Sequence, residues 1–296
     1  MTRRIVILGA SGQLGQALNA EAMNLPDATR RLLCFIPRQA LELTDSRALK
    51  HCLQQYSPSI IINACAYTNV DEAERQVELA WLINQQLVAE LSHYAKANGA
   101  ALLHCSTDYV FNGGQHQPYT EIDTPAPLNQ YGKSKLAGEN AMLDIAPAGL
   151  ILRTSWLYSE FGHNFVRRIV SKIRQGSLLQ VVNDQIGSPT YARELAALCI
   201  KLVMAPDFTE RFAKTRLLHC AGQGQASWYQ LAQEIVRLTR SDIAVAAVSS
   251  NQWLALAKRP AFSVLSSEAL TEQLGLSLPP WQHSLSICLQ KMGQSE

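Results

Sequence analysis

Ile5-Val6-Ile7-Leu8-Gly9-Ala10-Ser11-Gly12-Gln13-Leu14-Gly15 joins four consecutive apolar residues to a glycine-rich turn. The apolar run predicts a strand buried on both faces, and Gln13–Asn24 has the apolar spacing of a helix. Gly9 permits a tight turn, Gly12 lets the backbone approach a pyrophosphate, and Gly15 lets the helix pack closely on the strand. N–H groups at the start of that helix then face an anion. The stretch therefore predicts the first unit of a dinucleotide-binding α/β fold.

Apolar runs and amphipathic stretches alternate through the first half of the chain. The predicted strands are Ile5–Leu8, Arg31–Ile36, Ser59–Ile62, Ala101–Cys105 and Leu150–Leu152. The predicted helices are Gln13–Asn24, Ser46–Tyr56 (with Ser46 as N-cap), Asp71–Asn98 and Asn129–Ile145. Strands that are apolar throughout are typical of parallel sheets covered on both faces. This alternation predicts the α/β class, with a Rossmann-type doubly wound parallel sheet.

The alternation becomes less regular after Arg153. A polar connector at Asn183–Thr190 precedes a predicted helix at Tyr191–Met204, and Leu217–Cys220 has the pattern of one more strand. Ser227 is a suitable N-cap for a following helix. We predict an NADP-binding Rossmann domain at 1–155, completed by about 185–222, and a smaller C-terminal substrate-binding lobe at 156–184 and 223–296.

Charge and cysteine content exclude several classes of protein. The 296 residues carry 26 basic and 24 acidic side chains, a net charge of +2, which gives no footprint for nucleic acid or an anionic membrane. The seven cysteines are odd in number and scattered, which predicts a reducing, cytoplasmic location. No run approaches a membrane span, and no His/Cys spacing predicts a metal site. We expect no partner other than a small molecule, and a monomer or homodimer.

The end of the second predicted strand indicates which dinucleotide binds. NAD-binding folds place a carboxylate there to hold the ribose 2′-hydroxyl, whereas the residue here is Arg38. A guanidinium fits a 2′-phosphate that a carboxylate would repel. The sequence therefore predicts NADPH, with NADH possible, and with Arg30 or Arg31 as alternatives to Arg38.

A tyrosine and a lysine, Tyr131 and Lys135, lie one turn apart on one face of a predicted helix. A nearby ammonium stabilises a phenolate, so the pair suits proton transfer. Thr107 follows the fourth apolar strand, at the edge of the sheet where ligands bind in open α/β folds. A hydroxyl, a phenol and an ammonium beside a dinucleotide form a carbonyl-reducing set, in which the hydroxyl polarises the ketone and the phenol donates the proton.

These motifs resemble those of the extended short-chain dehydrogenase/reductase family. The most specific strings are Asn63-Ala-Cys-Ala-Tyr67-Thr68-Asn-Val70-Asp71, Ser106-Thr107-Asp108-Tyr109-Val110-Phe111, Tyr131-Gly-Lys-Ser-Lys135-Leu-Ala-Gly-Glu139, Arg153-Thr154-Ser155-Trp156 and Asn183-Asp-Gln-Ile-Gly-Ser-Pro189-Thr190. Within the family they are similar to members that use NADPH to reduce the C4 ketone of a dTDP-linked 4-keto-6-deoxy sugar. The resemblance extends from Arg4 to about Trp281.

The resemblance implies a role for each residue of the site. Thr107, Tyr131 and Lys135 would be catalytic, with Lys135 also holding the nicotinamide ribose. The implied cofactor-binding residues are Gly9, Ser11, Gly12, Gln13, Leu14, Gly15, Arg38, Ala64, Ala66, Tyr67, Tyr131 and Lys135. The implied substrate-binding residues are Ser106, Thr107, Asp108, Tyr109, Trp156, Lys258 and Arg259. The substrate would be a small nucleotide sugar.

Two departures from the family pattern lead to further expectations. Some members bind Mg²⁺ between subunits through glutamates, but Ala17 and Arg193 stand at two of those positions, so we do not expect the metal. Some members also continue after Arg259-Pro260 with a Ser-Arg-Leu string. This chain has Val264 where the arginine would stand, which predicts a weaker nucleotide contact there.

Three other interpretations remain open at this point. A dehydratase or epimerase shares the fold and the Tyr/Lys pair, although dehydratases carry a glutamate where Tyr109 stands. A non-catalytic regulator similar to the β subunit of methionine adenosyltransferase would bind a partner without turnover. A reductase forming the other C4 epimer, of the talo series, would carry nearly the same residues.

Overall fold

A computed structural model describes residues 3–252 and 255–294, except the side chains of Arg38 and Gln294. The strands are β1 (Ile5–Leu8), β2 (Leu33–Ile36), β3 (Ile60–Asn63), β4 (Ala101–Thr107), β5 (Ala148–Thr154), β6 (Leu157–Tyr158), β7 (Leu179–Val182), β8 (Ile186–Gly187), β9 (Thr190–Tyr191), β10 (Arg216–His219), β11 (Ala226–Ser227) and β12 (Val245–Val248). No helix among the described residues has the length and apolar composition needed to cross a membrane.

The helices, like the strands, are numbered in chain order. They are α1 (Gln13–Ala22), α2 (Asp27–Arg30), α3 (Ser46–Tyr56), α4 (Val70–Ala73), α5 (Val77–Trp81), α6 (Leu87–Asn98), α7 (Gln130–Ile145), α8 (Phe165–Arg174), α9 (Ala192–Met204), α10 (Phe208–Arg211), α11 (Trp228–Leu238), α12 (Glu268–Leu274) and α13 (Trp281–Gln294). A π-helical segment at Leu82–Gln86 joins α5 to α6.

Six parallel strands form the central sheet, in the order β10-β5-β4-β3-β1-β2. Helices α1 and α9 pack on one face, and α3 and α6 pack on the other. Both faces are covered, so the strands are apolar throughout, as the sequence predicts. The chain leaves β1 towards β2 on one side and continues from β3 on the other. Ligands of such sheets bind where the strand order reverses, beyond the carboxyl ends of the strands. The predicted fold class is confirmed.

The second half of the chain contributes both to the sheet and to a separate apolar cluster. Strand β10 adds to the edge of β5, with Leu218 opposite Leu152. Helices α8, α11 and α13 surround a different core that includes Tyr158, Ile235 and Leu285. The division into two domains with the bounds given above stays a prediction.

Two local predictions are wrong. The single helix at Asp71–Asn98 is divided into α4, α5, the π-helical segment and α6, although buried residues at helical spacing continue from Ala80 through Asn84 to Leu91. The N-cap of α3 is Asp45 and not Ser46, because the Asp45 carboxylate accepts hydrogen bonds from the N–H groups of Arg47 (2.8 Å) and Ala48 (3.1 Å).

Candidate active site

The glycine-rich turn lies at the carboxyl end of β1 and leads directly into α1. Gly9 has a φ of +83°, and a Cβ added there would lie 2.8 Å from the backbone of Ala64. A Cβ added at Gly15 would lie 2.1 Å from the Gly9 carbonyl oxygen. The turn can therefore adopt this conformation only with glycine at both positions.

The turn fits the pyrophosphate of a dinucleotide. Gly12 is the N-cap of α1 and supplies no side-chain cap, and the first turn of the helix carries no acidic residue. The N–H groups of that turn and the helix dipole therefore favour an anion. Gln13 Oε1 is buried here without a hydrogen-bond partner in the described structure. Leu14 packs into the core, and the Ser11 carbonyl accepts a hydrogen bond from the Gln16 amide.

The segment after β3 forms the opposite wall of this crevice. The backbone of Tyr67 is held from both sides by Asn84, whose Oδ1 accepts from the Tyr67 N–H (2.8 Å) and whose Nδ2 donates to the Tyr67 carbonyl (3.1 Å). The Ala64 N–H donates a hydrogen bond to the Leu8 carbonyl oxygen. Ala66 lies in the same segment, between Ala64 and Tyr67. Asn84 is fully buried on the π-helical segment and was missed by sequence reasoning. The one signal in the sequence that could have indicated Asn84 is its position, as a polar residue, on an otherwise apolar helix face.

Helix α7 brings Tyr131 to the end of β4. The Asn129 side chain caps the helix by accepting from the Gly132 N–H at 2.8 Å. A Cβ added at Gly132 would lie 2.2 Å from the Tyr109 carbonyl oxygen, so glycine lets α7 approach the β4 loop. Tyr131 packs edge-on against the Tyr109 ring, with 5.8 Å between ring centroids.

The side chains of Tyr131 and Thr107 lie close enough for the Thr107 hydroxyl to lower the pKa of the phenol. The pKa of the Tyr131 phenol is raised to about 12. Burial is the main cause and the Asp108 carboxylate adds to it, while the Thr107 hydroxyl acts in the opposite direction. At neutral pH the phenol is therefore protonated, the form that a proton donor needs. The structure brings together two of the three predicted catalytic side chains, and Thr107 also accepts from the Tyr109 N–H at 3.2 Å.

Lys135 is directed towards β4 and is almost fully buried, with 1% of its surface exposed. Its Nζ donates to the Cys105 carbonyl oxygen at 2.6 Å and lies 3.3 Å from His104 Nε2. Burial lowers the pKa of Lys135 to about 8, while Cys105, Glu139 and Cys65 act in the opposite direction. Sequence spacing places Lys135 on the same helix face as Tyr131, but its hydrogen bonds are made to the strand.

Asp108 follows Thr107 and is buried beside three hydroxyl groups. Burial raises the pKa of Asp108 to about 6, and the hydroxyls of Ser263, Ser155 and Thr107 lower it. The adjacent Ser106 hydroxyl donates to the carboxylate of Glu139, in the interior behind the site. Of the predicted substrate-binding residues, Ser106 therefore contacts a buried carboxylate of α7, and Asp108 lies next to Thr107.

A buried ion pair fixes α7 to the sheet behind these residues. The Glu139 carboxylate on α7 accepts two hydrogen bonds from Arg153 of β5, one from Nη2 at 2.6 Å and one from Nε at 3.0 Å. Their side chains are 1% and 4% exposed. The Arg153 guanidinium also lies 5.1 Å from the centroid of the Phe111 ring. The helix that carries Tyr131 and Lys135 is thus attached to two strands by charged hydrogen bonds.

A cleft of about 1170 Å³ opens beside Tyr109. Its basic lining residues are Arg167, Arg168, Lys172, Lys258 and Arg259. Arg259 is held by Asp71 through two hydrogen bonds, Nη2–Oδ2 at 2.7 Å and Nη1–Oδ1 at 3.2 Å, and the Lys258 carbonyl accepts from Asn129 at 2.8 Å. This excess of positive charge suits a nucleoside diphosphate.

Trp156 lies in an aromatic stack that borders the cleft. It has a φ of +45° and is 9% exposed, and its ring stacks on Trp228 at 3.5 Å. A Cβ added at Gly187 would lie 2.3 Å from the Trp156 ring, so glycine leaves room for the indole. Trp228 and Phe165 line the cleft itself. Neither was predicted, because their helices carry no motif that indicates a ligand.

Two other positions were singled out from the sequence, Arg38 for the 2′-phosphate and Arg193 for the absence of a metal-binding glutamate. The side chain of Arg38 lies outside the described part of the structure. Arg193 pairs with Glu21 at 2.8 Å and with Glu160 at 2.5 Å. Among residues 3–252 and 255–294, no group of three His, Cys, Asp or Glu side chains could hold a metal ion.

Gly15→Ala is expected to abolish measurable dinucleotide binding or weaken it by at least ~10-fold, about 1.4 kcal/mol. The added methyl group would overlap the Gly9 carbonyl oxygen and displace α1 from the turn. Fluorescence titration with NADPH measures the effect. Gly293→Ala is the matched control, because Gly293 also lies in a helix, α13, but an added Cβ there meets no atom within 4 Å. Unchanged NADPH affinity in Gly15→Ala would contradict the assignment of the turn.

Comparisons with known proteins agree with this geometry. The family model "RmlD substrate binding domain" matches residues 3–294. A dTDP-4-dehydrorhamnose reductase of Aggregatibacter actinomycetemcomitans is 36% identical over 95% of this chain and 97% of its own length. A dTDP-4-keto-6-deoxy-D-glucose reductase of Streptomyces niveus is 35% identical over all of both chains.

A solved structure is similar over the same extent. It is the 2.65 Å crystal structure of dTDP-4-dehydrorhamnose reductase from Bacillus anthracis in complex with NADP. It has a TM-score of 0.90 and 33% identity, and the match covers 98% of this chain and 100% of that chain.

Proposed function

Because this chain belongs to the RmlD substrate binding domain family, we propose that it uses NADPH to reduce the C4 ketone of dTDP-4-dehydro-6-deoxy-L-mannose to dTDP-L-rhamnose. The observation that carries the proposal is that Thr107 and Tyr131 come together at the carboxyl end of β4, with Lys135 on the same helix as Tyr131 and the phosphate turn beside them. The reductases to which the chain is similar support the substrate class.

The dinucleotide is held by the turn at Gly9–Gly15 and the backbone around Ala64 and Tyr67, and when bound it supplies a hydride to C4. Thr107 donates a hydrogen bond to the keto oxygen and so draws electron density from the carbon. Tyr131 gives its Oη proton to the oxygen as negative charge develops there. Because burial raises the pKa of Tyr131, the phenol keeps this proton until negative charge develops on the substrate oxygen.

The nucleotide part of the substrate binds in the cleft. Lys258 and Arg259 face the diphosphate, and Arg259 is preset by its two hydrogen bonds to Asp71. Tyr109 and the stack of Trp156 on Trp228 bound the sugar and the base on the side away from the sheet. A fixed guanidinium loses little conformational freedom on binding, which favours affinity.

The choice of sugar rests on the relatives' names, which differ at nearly the same sequence identity. The Streptomyces niveus relative is named for a D-glucose derivative, and it matches this chain over its whole length. The two C4 epimers differ only in the sugar face that receives the hydride. We favour the rhamno product because the Aggregatibacter relative carries that name.

We further propose that the reaction takes place in the cytoplasm and that the enzyme is a monomer or homodimer without a metal. The free cysteines, such as the buried Cys199 and Cys220, fit a reducing compartment. Arg193, at a position where some family members carry a metal-binding glutamate, instead forms ion pairs with two glutamates of its own chain.

NADPH oxidation by the purified protein with dTDP-4-keto-L-rhamnose tests the proposed function. We expect turnover with NADPH and at least ~10-fold lower kcat/KM with NADH, since each tenfold ratio requires about 1.4 kcal/mol of discrimination at the 2′-phosphate. NMR of the product identifies the C4 epimer, and a talo product would exclude rhamnose. Cofactor binding without turnover on any keto sugar would favour a regulatory role.

A further inference from the structure

A chain of buried polar groups runs behind the active site from the end of β3 to Lys135. Asn63 Nδ2 lies 3.1 Å from His104 Nδ1, and His104 Nε2 lies 3.3 Å from Lys135 Nζ. Asn63 and His104 are fully buried, and Lys135 is 1% exposed. Neither Asn63 nor His104 has a role in the proposed reaction, yet burial of such groups is costly unless they are paired.

The backbone of Cys65 fixes the direction of every hydrogen bond in the chain. Its N–H can only donate, so the Asn63 atom 3.1 Å away is Oδ1 and the atom facing His104 is the amide nitrogen. That nitrogen also donates, so His104 Nδ1 accepts. The imidazole is neutral, because its complete burial lowers the pKa of His104 well below its usual value. The ring proton is therefore on Nε2, which points at Lys135.

A donor on Nε2 favours an acceptor at Lys135 Nζ. An ammonium has no lone pair, whereas a free amine has one and still has hydrogens to donate to the Cys105 carbonyl oxygen at 2.6 Å. The other titratable groups facing Lys135 are Cys65, Cys105 and Glu139, and the Glu139 carboxylate is already paired with Arg153. Burial lowers the pKa of Lys135 to about 8, so the free amine forms at mildly alkaline pH.

We propose that His104, oriented by Asn63, is a positioning residue that favours the free-amine form of Lys135 on β4, and that at alkaline pH, where the free protein holds this amine, Lys135 takes up one proton from solvent when its Nζ leaves His104 for the ribose of the bound dinucleotide. The amine becomes an ammonium, and His104 keeps its own proton and stays neutral. The second half of the inference rests on the proposed function, because the contact of Lys135 with the ribose does.

The proposal predicts the direction in which NADPH affinity changes with pH. Below about pH 8 the lysine is protonated with or without dinucleotide, and affinity is independent of pH. Above that pH the free protein loses the proton and the complex keeps it, so binding takes up a proton and NADPH affinity falls by at most about tenfold per pH unit. The 2′-phosphate of NADPH, whose second pKa is about 6, is fully ionised there and does not contribute.

The first test titrates Lys135 in the dinucleotide-free protein. ¹³C NMR of lysine-labelled protein, with Lys135→Met to assign the signal, is expected to show a midpoint below those of surface lysines. His104→Phe should move it upwards by ~1 unit or more, and His104→Gln, which keeps an N–H donor, should move it less. An unchanged midpoint in His104→Phe overturns the proposal, whether or not the protein reduces a keto sugar.

Asn63→Asp tests the same chain with an isosteric change, should His104→Phe fail to fold. One carboxylate oxygen would still accept from Cys65 N–H, and the other would now require a proton on His104 Nδ1. ¹⁵N NMR of the imidazole is expected to show the Nε2–H tautomer in the wild type and Nδ1–H in the variant, with an upward shift of the Lys135 midpoint. An Nδ1–H tautomer in the wild type overturns the proposal.

Calorimetry with NADPH tests the proton uptake. Titrations between pH 7.5 and about 9.5, in buffer pairs with different ionisation enthalpies, are expected to show uptake that begins near pH 8 in the wild type and is lost in His104→Phe and Lys135→Met. Uptake that persists in Lys135→Met would overturn the coupling. Turnover on the keto sugar at pH 7, where Lys135 is protonated in either case, is measured separately and reports only on the proposed function.

Discussion

Tyr131→Phe is expected to lower kcat for ketone reduction by about 10²–10⁴-fold, because it removes the group that we propose as the proton donor. The phenylalanine ring can keep the edge-on contact with Tyr109, so the backbone and the dinucleotide site stay in place. NADPH affinity is therefore expected to be nearly unchanged. Steady-state kinetics with the keto sugar, together with a fluorescence titration of NADPH, separate the two effects.

Tyr158→Phe is the matched control for this experiment. Tyr158 is also a buried tyrosine, but its hydroxyl lies 3.4 Å from the Trp281 carbonyl oxygen, in the cluster formed by α8, α11 and α13. Its loss is expected to leave kcat within about twofold of the wild type. Full activity in Tyr131→Phe would show that another group donates the proton, and equal losses in both variants would indicate a general structural effect.

Arg153→Met is expected to lower the free energy of unfolding by about 3–5 kcal/mol, because it leaves the Glu139 carboxylate buried and without its cation. The Ser106 hydroxyl alone remains as its hydrogen-bond donor among the contacts described above. Urea denaturation followed by circular dichroism measures the loss. Addition of Glu139→Gln to Arg153→Met removes the buried charge and is expected to restore part of the stability.

Arg237→Met provides the comparison on the surface. Arg237 pairs with Glu234 at 2.6 Å on α11, but its side chain is 68% exposed. Water solvates both charges once the pair is broken, so the unfolding midpoint is expected to stay nearly unchanged. A loss in Arg153→Met no larger than that in Arg237→Met would mean that the buried pair does not hold α7 against the sheet.

The central sheet could be predicted closely from the sequence because each of its strands is buried on both faces. Five apolar runs correspond to β1–β5 with shifts of a few residues at their ends. The division of the predicted helix at Asp71–Asn98 could not be predicted, since the break at Glu74–Gln76 contains neither glycine nor proline. Periodicity reports which face is buried, and it does not report whether the backbone hydrogen bonds continue.

The active site was predictable in its residue types and less so in its contacts. The spacing of Tyr131 and Lys135 fixes their common helix face, but the direction of Lys135 depends on a carbonyl and an imidazole of β4. The contact of Arg259 with Asp71 joins residues 188 positions apart. Such pairs depend on packing between distant segments, which single-chain patterns of charge and hydrophobicity do not encode.

Strand β10 is synthesised long after β5, the strand that it pairs with, and this has a consequence for the nascent chain. Strand β5 ends at Thr154, and the strand that covers its outer edge begins at Arg216. At roughly 5–20 residues per second, a ribosome needs on the order of 3–12 s to synthesise the intervening segment. During that time the edge of β5 exposes unpaired N–H and C=O groups that can pair with another chain. Growing polypeptides released between these two strands are therefore expected to aggregate or to be bound by chaperones, whereas those that extend beyond His219 close the sheet.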